Sequence, residues 1–299
     1  MQLLLIGHGY VGSYLSVALE GVGHHVVVCD QNLGQSEGLN TALRCRYQEL
    51  SIGDLNDFDV ILWFAGHSSV SKSVADPEGA VANNCLDLLQ FARRRPARMR
   101  LFYASTASIY STEHSENASQ LPPELCESET RLDPRNPYDC SKISFDALAR
   151  CFVENVVGLR LGTVCGYGPN MRGELIFNAM NRTAIDEGRV LVSNRQVSRN
   201  ILFLDDLANY ICALIEVDGP LPSILNTGSM NLTIGELAET VAEFYNVPII
   251  AKPDTKTYSF RMDCRLLESL CGQPRAVSLF DRCAEFESAY RPRAVRTAL

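Results

Sequence analysis

Ile6-Gly7-His8-Gly9-Tyr10-Val11-Gly12 follows the apolar run Leu3-Leu4-Leu5-Ile6 and opens a helical pattern near 11–21. Glycines in the order G-x-G-x-x-G between a strand and a helix permit a tight turn, close approach of a pyrophosphate and tight helix–strand packing. The helix N-terminus then favours the anion. A second strand-like run, His25 to Cys29, ends in Asp30, 18 residues beyond Gly12. A carboxylate at that point accepts both ribose hydroxyls of NAD and repels the 2′-phosphate of NADP. The stretch therefore predicts a βαβ unit that holds NAD.

Working outward, nearly continuous apolar runs recur at 2–6, 25–29, 59–64, 100–104 and 156–161. Such runs suit parallel strands buried on both faces. Helical patterns fall between them near 11–21, 80–94 and 138–154. The alternation predicts an α/β fold, a doubly wound parallel Rossmann sheet with right-handed crossovers. The polar segment 111–137 carries Pro122-Pro123 and Pro134 and is too long for an ordinary connection, so a functional loop is expected there. After about residue 165 the rhythm loosens, with helical segments near 174–187, 205–216 and 233–245. We expect residues 1–165 to form the NAD-binding part and 166–299 mainly a smaller C-terminal substrate-binding lobe. Some segments of that lobe are expected to return to the sheet.

Composition narrows the function. A formal net charge of -8 argues against a nucleic-acid partner, which usually meets a basic face. No run approaches the roughly 20 apolar residues of a membrane span. The strand-like start leaves no room for a secretory signal, so a cytoplasmic protein is expected. The eleven cysteines are scattered and never spaced Cys-x-x-Cys, which suggests neither a metal site nor a disulfide framework.

The chemistry is read from Asn136-Pro137-Tyr138-Asp139-Cys140-Ser141-Lys142. On a helix starting near Pro137, a spacing of four puts Tyr138 and Lys142 on one face. A phenol with an ordinary pKa of about 10 is a poor base at neutral pH. A neighbouring ammonium favours the phenolate and equips the pair to exchange a proton with a sugar or alcohol hydroxyl. Lys142 can also hold ribose hydroxyls of the cofactor. A hydroxyl from Ser105-Thr106, after the strand 100–104, can steady the reacting oxygen.

These features together resemble the extended short-chain dehydrogenase/reductase family, in particular the NAD-dependent epimerases and dehydratases that act on nucleotide-sugars. Gly7, Gly9, Tyr10, Val11 and Gly12 with Asp30 match the family's cofactor turn. Gly53-Asp54-Leu55 resembles its adenine contact, Phe64-Ala65-Gly66 its cofactor-side strand end, and Asn83-Asn84 the paired Asn that opens the next helix. Ala104 to Tyr110 resembles the serine-rich catalytic strand, with Thr106 at the catalytic Ser/Thr position, and Pro137-Tyr138 with Ser141-Lys142 its Pro-Tyr-x-x-Ser-Lys signature. Leu159-Arg160, Arg199, Leu204-Asp205-Asp206-Leu207-Ala208 and Asn226-Thr227-Gly228 are similar to markers of the substrate side. The resemblance implies Thr106, Tyr138 and Lys142 as catalytic residues. It implies cofactor contacts from the turn, Asp30, Asp54, Leu55, Phe64, Ala65, Gly66, Asn83, Tyr138 and Lys142. Substrate contacts are implied for Ser105, Thr106, Thr163, Asn178 and Arg199.

Departures from the pattern bear on the reaction. Ile6 stands at the family's usual first glycine. Ala107-Ser108 replaces the Asp-Glu pair that sugar 4,6-dehydratases use to eliminate water, which argues against dehydration. Thr163 replaces an Asn, and Ser193-Asn194-Arg195 replaces a Gly-Asp-Gly turn. Arg172, Asn178, Arg195 and Arg199 are candidates for a diphosphate pocket, since an Arg fork binds phosphate oxygens in pairs. His8 and His67 are read as turn and packing residues.

The expected activity is redox at C4 of a nucleoside-diphosphate sugar, with epimerisation if the keto-sugar rotates before the hydride returns. A ketosugar reductase or dehydrogenase with exchangeable NAD(P)(H) uses the same three residues and stands as an alternative. A nucleotide-sugar 6-dehydrogenase shares the glycine opening but lacks the Tyr138–Lys142 arrangement. A non-catalytic NAD sensor or scaffold is opposed by the intact Thr106, Tyr138 and Lys142. The helices near 82–94 and 138–154 carry apolar residues on more than one face, among them Leu86, Leu89, Phe145, Leu148 and Phe152. This pattern predicts a homodimer built across those helices.

Overall fold

The computed structural model describes residues 1–33, 41–111, 121–129, 132–273 and 276–297, with side chains as far as Arg291. Part of the expected loop 111–137 therefore lies outside the described residues. The main sheet has seven strands. Across the sheet they are Ile224–Thr227, Val156–Leu161, Arg100–Thr106, Val60–Trp63, Gln2–Ile6, His25–Cys29 and Ala42–Leu43. All neighbours pair parallel. Alternate side chains enter two separate cores, which explains the unbroken apolar runs. Leu3, Leu5, Val26, Val28 and Leu62 pack toward the helices Tyr10–Gly21 and Leu204–Ile215. Leu4, Ile6, Val27, Ile61 and Trp63 pack the other way, toward the helices Asp87–Arg94 and Pro137–Phe152. Strand order reverses between Gln2–Ile6 and Val60–Trp63, so a crevice opens beyond their C-terminal ends. The glycine turn sits at that crevice.

The helical pattern near 80–94 is not one regular helix. An α-turn at Pro77–Val81 passes into a π-helical stretch, Ala82–Leu86, before Asp87–Arg94 resumes as α-helix. Such widened turns mark places where side chains are re-aimed, and Asn83 and Asn84 lie inside this one. In the second half, strands hidden from the hydropathy pattern emerge. Ser198–Phe203 is buried along its whole length although Ser198, Arg199 and Asn200 are polar. It pairs antiparallel with Met230–Thr233 and parallel with Thr163–Cys165. A third core, including Phe177, Val190, Ile201, Ile234, Val241 and Phe286, lies under this smaller sheet. Ile224–Thr227 returns to the edge of the main sheet. No helix among the described residues is long and apolar enough to cross a membrane.

Candidate active site

The glycine turn is shaped by backbone demands. Gly7 holds φ at +99°, a conformation that costs an L side chain dearly, and its N–H donates to the Cys29 carbonyl at 2.9 Å. A Cβ on Gly7 would come within 2.5 Å of the Ala65 nitrogen, and one on Gly12 would overlap the Gly7 carbonyl oxygen. Ile6 is buried in the strand, so the tight turn falls to Gly7 instead. A Cβ on Gly9 would meet nothing within 4 Å, which leaves open space at the N-terminus of the helix Tyr10–Gly21. Asp30 accepts the His8 N–H at 2.7 Å and the Asn32 N–H at 2.8 Å. Its carboxylate is thereby fixed beside the turn, with lone pairs to spare for ribose hydroxyls. Vacant space at a helix N-terminus and a carboxylate fixed at the second strand end fit a dinucleotide.

Other expected cofactor contacts take mixed positions. Phe64, Ala65 and Gly66 follow the strand Val60–Trp63, next to the turn. The Asp54 carboxylate is engaged in a capping box with Ser51, and Leu55 is fully buried. Asn83 donates to the Gly79 carbonyl at 2.8 Å. Its neighbour Asn84 is the more informative residue. Asn84 donates to the His67 carbonyl at 3.0 Å and to Ser141 Oγ at 2.9 Å, tying the cofactor-side loop to the catalytic helix.

That helix, Pro137–Phe152, begins with Pro at its first position and Asn136 as its cap, accepting from the Asp139 N–H at 3.0 Å. Phe145 anchors its inner face edge-to-face on Tyr103, ring centroids 4.6 Å apart. Tyr138, Lys142 and Asp146 follow at four-residue intervals. Lys142 is buried and donates from Nζ to the Ala104 carbonyl at 2.8 Å. Burial pulls its ammonium down to about 8. Asp146 accepts from Tyr103, Ser105 and the Arg160 guanidinium at 2.7, 3.0 and 3.3 Å. Burial raises its carboxyl, offset in part by Arg160. Ser105 is thus buried behind the site, bonded to Asp146, while Thr106 faces the phenol.

Tyr138 is half-buried. Burial raises its phenol above the ordinary value, the hydrogen bond with Thr106 pulls it down, Asp139 pushes it up and Arg172 pulls it down. The expected lowering by Lys142 is therefore not what governs this geometry: the ammonium turns to Ala104 and burial dominates. Thr106 Oγ1 lies 2.8 Å from Ser108 Oγ, and Ser108 Oγ donates to Asp139 at 2.5 Å. From sequence Ser108 was read only as a departure from the dehydratase acid pair, and Asp139 was not singled out, since an acid in the first turn of a helix is ordinary there.

Substrate-side candidates divide. Arg199 is nearly buried, donates to Thr257 at 2.7 Å and lies against the rings of Tyr258 and Phe260. Among the described residues no carboxylate forms an ion pair with it, and burial lowers it to about 10. Arg172 donates to the Ser68 carbonyl at 3.1 Å and pairs with Glu174, close enough to act on Tyr138. Thr163 is partly exposed on its strand beside Ile201. Asn178, read as a substrate contact, is instead wholly buried. It accepts from the Gly166 N–H and donates to Tyr10 Oη and the Arg172 carbonyl, at 2.9, 3.1 and 3.0 Å. The Tyr10 side chain is equally committed, donating to the Gly166 carbonyl at 2.6 Å. These two join the first helix to the smaller sheet and form framework. Arg195 pairs with Glu239 at the surface and takes no part in the site. Asn194 holds φ at +54°, doing the work of the missing glycine of that turn.

Comparisons with known proteins point to a family. The model of the NAD dependent epimerase/dehydratase family matches residues 3–228. The chain is 25% identical over 288 residues to ADP-L-glycero-D-manno-heptose-6-epimerase of Brachyspira hyodysenteriae, covering 85% of each. It superposes on UDP-glucuronic acid 4-epimerase from Bacillus cereus, solved with UDP-glucuronic acid and NAD, with TM-score 0.80 and 20% identity over 98% of this chain and all of that one. It is similar in fold to the dTDP-glucose 4,6-dehydratase DesIV of Streptomyces venezuelae, with TM-score 0.77 and 22% identity, covering 98% and 97%. A turn and carboxylate fitted to a dinucleotide, the Tyr–Lys helix and the extent of the family match lead to one assignment: the chain belongs to the NAD dependent epimerase/dehydratase family, within the extended short-chain dehydrogenase/reductases, and its cofactor is NAD.

Proposed function

We propose that this protein oxidises and re-reduces C4 of a nucleoside-diphosphate sugar, inverting that centre. The observation that carries the reading is the Tyr138 phenol, hydrogen-bonded to Thr106, on the helix face that also bears Lys142. As the phenolate, Tyr138 Oη takes the C4 hydroxyl proton while the C4 hydrogen leaves as hydride to the cofactor, and it returns that proton when the hydride comes back to the carbonyl carbon. When bound, NAD would supply the hydride acceptor. Gly7, Gly9, Val11 and Gly12 would hold its pyrophosphate through the turn, Asp30 its ribose, and Lys142 would orient it. Arg199, a buried guanidinium with no carboxylate ion pair among the described residues, suits one phosphate of the substrate. Ala107 and Ser108 offer no acid–base pair for elimination, which favours epimerisation over dehydration.

A second reading is favoured by one observation. Burial holds the phenol above its ordinary value, which suits a proton donor and hence a ketosugar reductase with exchangeable NAD(P)(H). Screening nucleoside-diphosphate sugars against the protein as purified separates the two. Change of epimer with NAD retained supports epimerisation; turnover only with added reduced cofactor supports the reductase. We further propose that two copies pair across the helices Asp87–Arg94 and Pro137–Phe152, near which Leu86 and Phe152 are exposed while Phe145 faces the sheet.

A further inference from the structure

Beside the carboxylate at the second strand end, two thiols meet that neither the cofactor nor the sugar chemistry uses. Cys29 is the last residue of the strand His25–Cys29, and Cys45 follows the edge strand Ala42–Leu43 by two residues. Their sulfurs lie 3.7 Å apart, in van der Waals contact, although the residues are 16 positions apart in the chain. Cys29 Sγ also donates to the Cys45 carbonyl at 3.5 Å. Both are free thiols, Cys29 buried and Cys45 partly exposed.

The backbone around Cys29 is held from two sides. Its carbonyl accepts the Gly7 N–H at 2.9 Å, and the next N–H, that of Asp30, donates to the Leu43 carbonyl at 3.2 Å. The edge strand has less to hold it. It pairs with its neighbour through two residues, Ala42 with Val28 and Leu43 with Cys29. So short an edge pairing opens and closes at small cost. A covalent bond between the sulfurs, at roughly 2 Å, would therefore draw Cys45 and the edge strand toward Cys29 and not the reverse.

We propose that Cys29 and Cys45 form a redox modification site, a dithiol that a peroxide oxidises to a disulfide, stapling the edge strand beside Asp30. The Cys45 sulfur, which solvent reaches, attacks one peroxide oxygen. The O–O bond breaks, Cys45 becomes a sulfenic acid and one water leaves. The Cys29 sulfur then attacks the Cys45 sulfur; the S–S bond forms, and the hydroxyl leaves with the Cys29 proton as a second water. Two thiols lose two electrons together with two protons, and the peroxide becomes two waters. A small dithiol reverses the step by exchange. Burial pushes the Cys29 thiol up, and the neighbouring Cys45 adds to the effect. A sulfur kept from ionising does not stabilise the reduced pair, so the disulfide is favoured once the oxidant arrives. The consequence for the cofactor rests on the reading of Asp30 as the ribose carboxylate. With the Leu43 carbonyl fixed on the Asp30 N–H, the strand end no longer opens, and NAD leaves the oxidised protein more slowly.

The reduced full-length protein is treated with hydrogen peroxide, quenched with N-ethylmaleimide, digested and mapped by mass spectrometry, with Cys45→Ser treated alongside. We expect a linked peptide joining Cys29 to Cys45, two hydrogens lighter than the two thiols, which dithiothreitol returns to free thiols. Release of radiolabelled NAD into excess unlabelled NAD should slow about ten-fold on oxidation of wild type and change less than about two-fold in Cys45→Ser. Recovery of Cys29 and Cys45 as N-ethylmaleimide adducts, while the exposed Cys126, Cys140 and Cys151 have been oxidised, overturns the proposal. NAD release unchanged in fully linked protein overturns it as well. The linked peptide is read without cofactor. Unaltered NAD affinity in Asp30→Ala, which would remove the reading of Asp30, is thus a separate outcome.

Discussion

The glycine turn at 6–12 and the polar lining contributed by the smaller sheet are built on opposite plans. The turn is made of backbone and vacant space: Gly7 takes a φ no side chain tolerates well, Gly12 has no room for a Cβ, and Gly9 opens on nothing. The smaller sheet's lining is made of side chains that hold one another. Asn178, Tyr10 and the Arg172 carbonyl form one knot, Arg195 pairs with Glu239, and Arg199 is buried with no ion pair to a carboxylate among the described residues. A backbone site admits one residue type at each key position, so its signature is strict. A side-chain site can be assembled from many residue types, so single polar positions say little until their partners are known.

The contrast is broken most severely at Gly12. Gly12→Ala forces a methyl group against the Gly7 carbonyl, and we expect NAD affinity to drop on the order of a hundred-fold or more, or the first βαβ unit to fail to fold. Isothermal titration with NAD, checked by circular dichroism, measures it; unaltered affinity would mean that the turn is not the pyrophosphate cradle. On the other side, Arg199→Ala should raise KM for the nucleotide-sugar by about 10- to 100-fold, the loss of a charge-assisted contact, while NAD affinity stays within two-fold. Equal loss of both affinities would assign Arg199 to packing.

Lys142 sharpens the contrast through stability. Its ammonium, lowered to about 8 in the folded chain, has an ordinary value of about 10.4 in the unfolded one. The unfolded chain therefore binds that proton more tightly, and stability rises with pH between those two values as the cost of burying the charge disappears. Lys142→Met removes this cost together with the bond to Ala104. We expect a variant about 1–3 kcal/mol more stable than wild type at pH 7, with the gap closing toward pH 10, and without turnover. A stability difference that does not change with pH would contradict the burial argument.

Much of the main sheet was legible because its strands are buried on both faces: the runs at 2–6, 25–29 and 156–161 match the observed strands residue for residue. The strand Ser198–Phe203 escaped because Ser198, Arg199 and Asn200 break the apolar pattern, while in the fold Arg199 donates to Thr257 and Asn200 Nδ2 to Asn231. The π-helical Ala82–Leu86 escaped because nothing in local composition separates it from an α-helix. At the site, Tyr138 and Lys142 carry a fixed spacing that local helix geometry imposes. Asp139 stands between them in plain view. It accepts from Ser108, 31 positions earlier, brought near only by the crossover between the strand Arg100–Thr106 and the helix.

The account stands or falls on the proton held by Tyr138. Wild type and Tyr138→Phe, each loaded with NAD, are to be mixed with the nucleoside-diphosphate sugar that scores best in the panel, following nicotinamide absorbance and the C4 configuration of the recovered sugar. The account predicts reduced nicotinamide and inverted sugar from wild type, with rates on the order of a thousand-fold lower in Tyr138→Phe and unchanged NAD affinity. Comparable rates from the two proteins would contradict it.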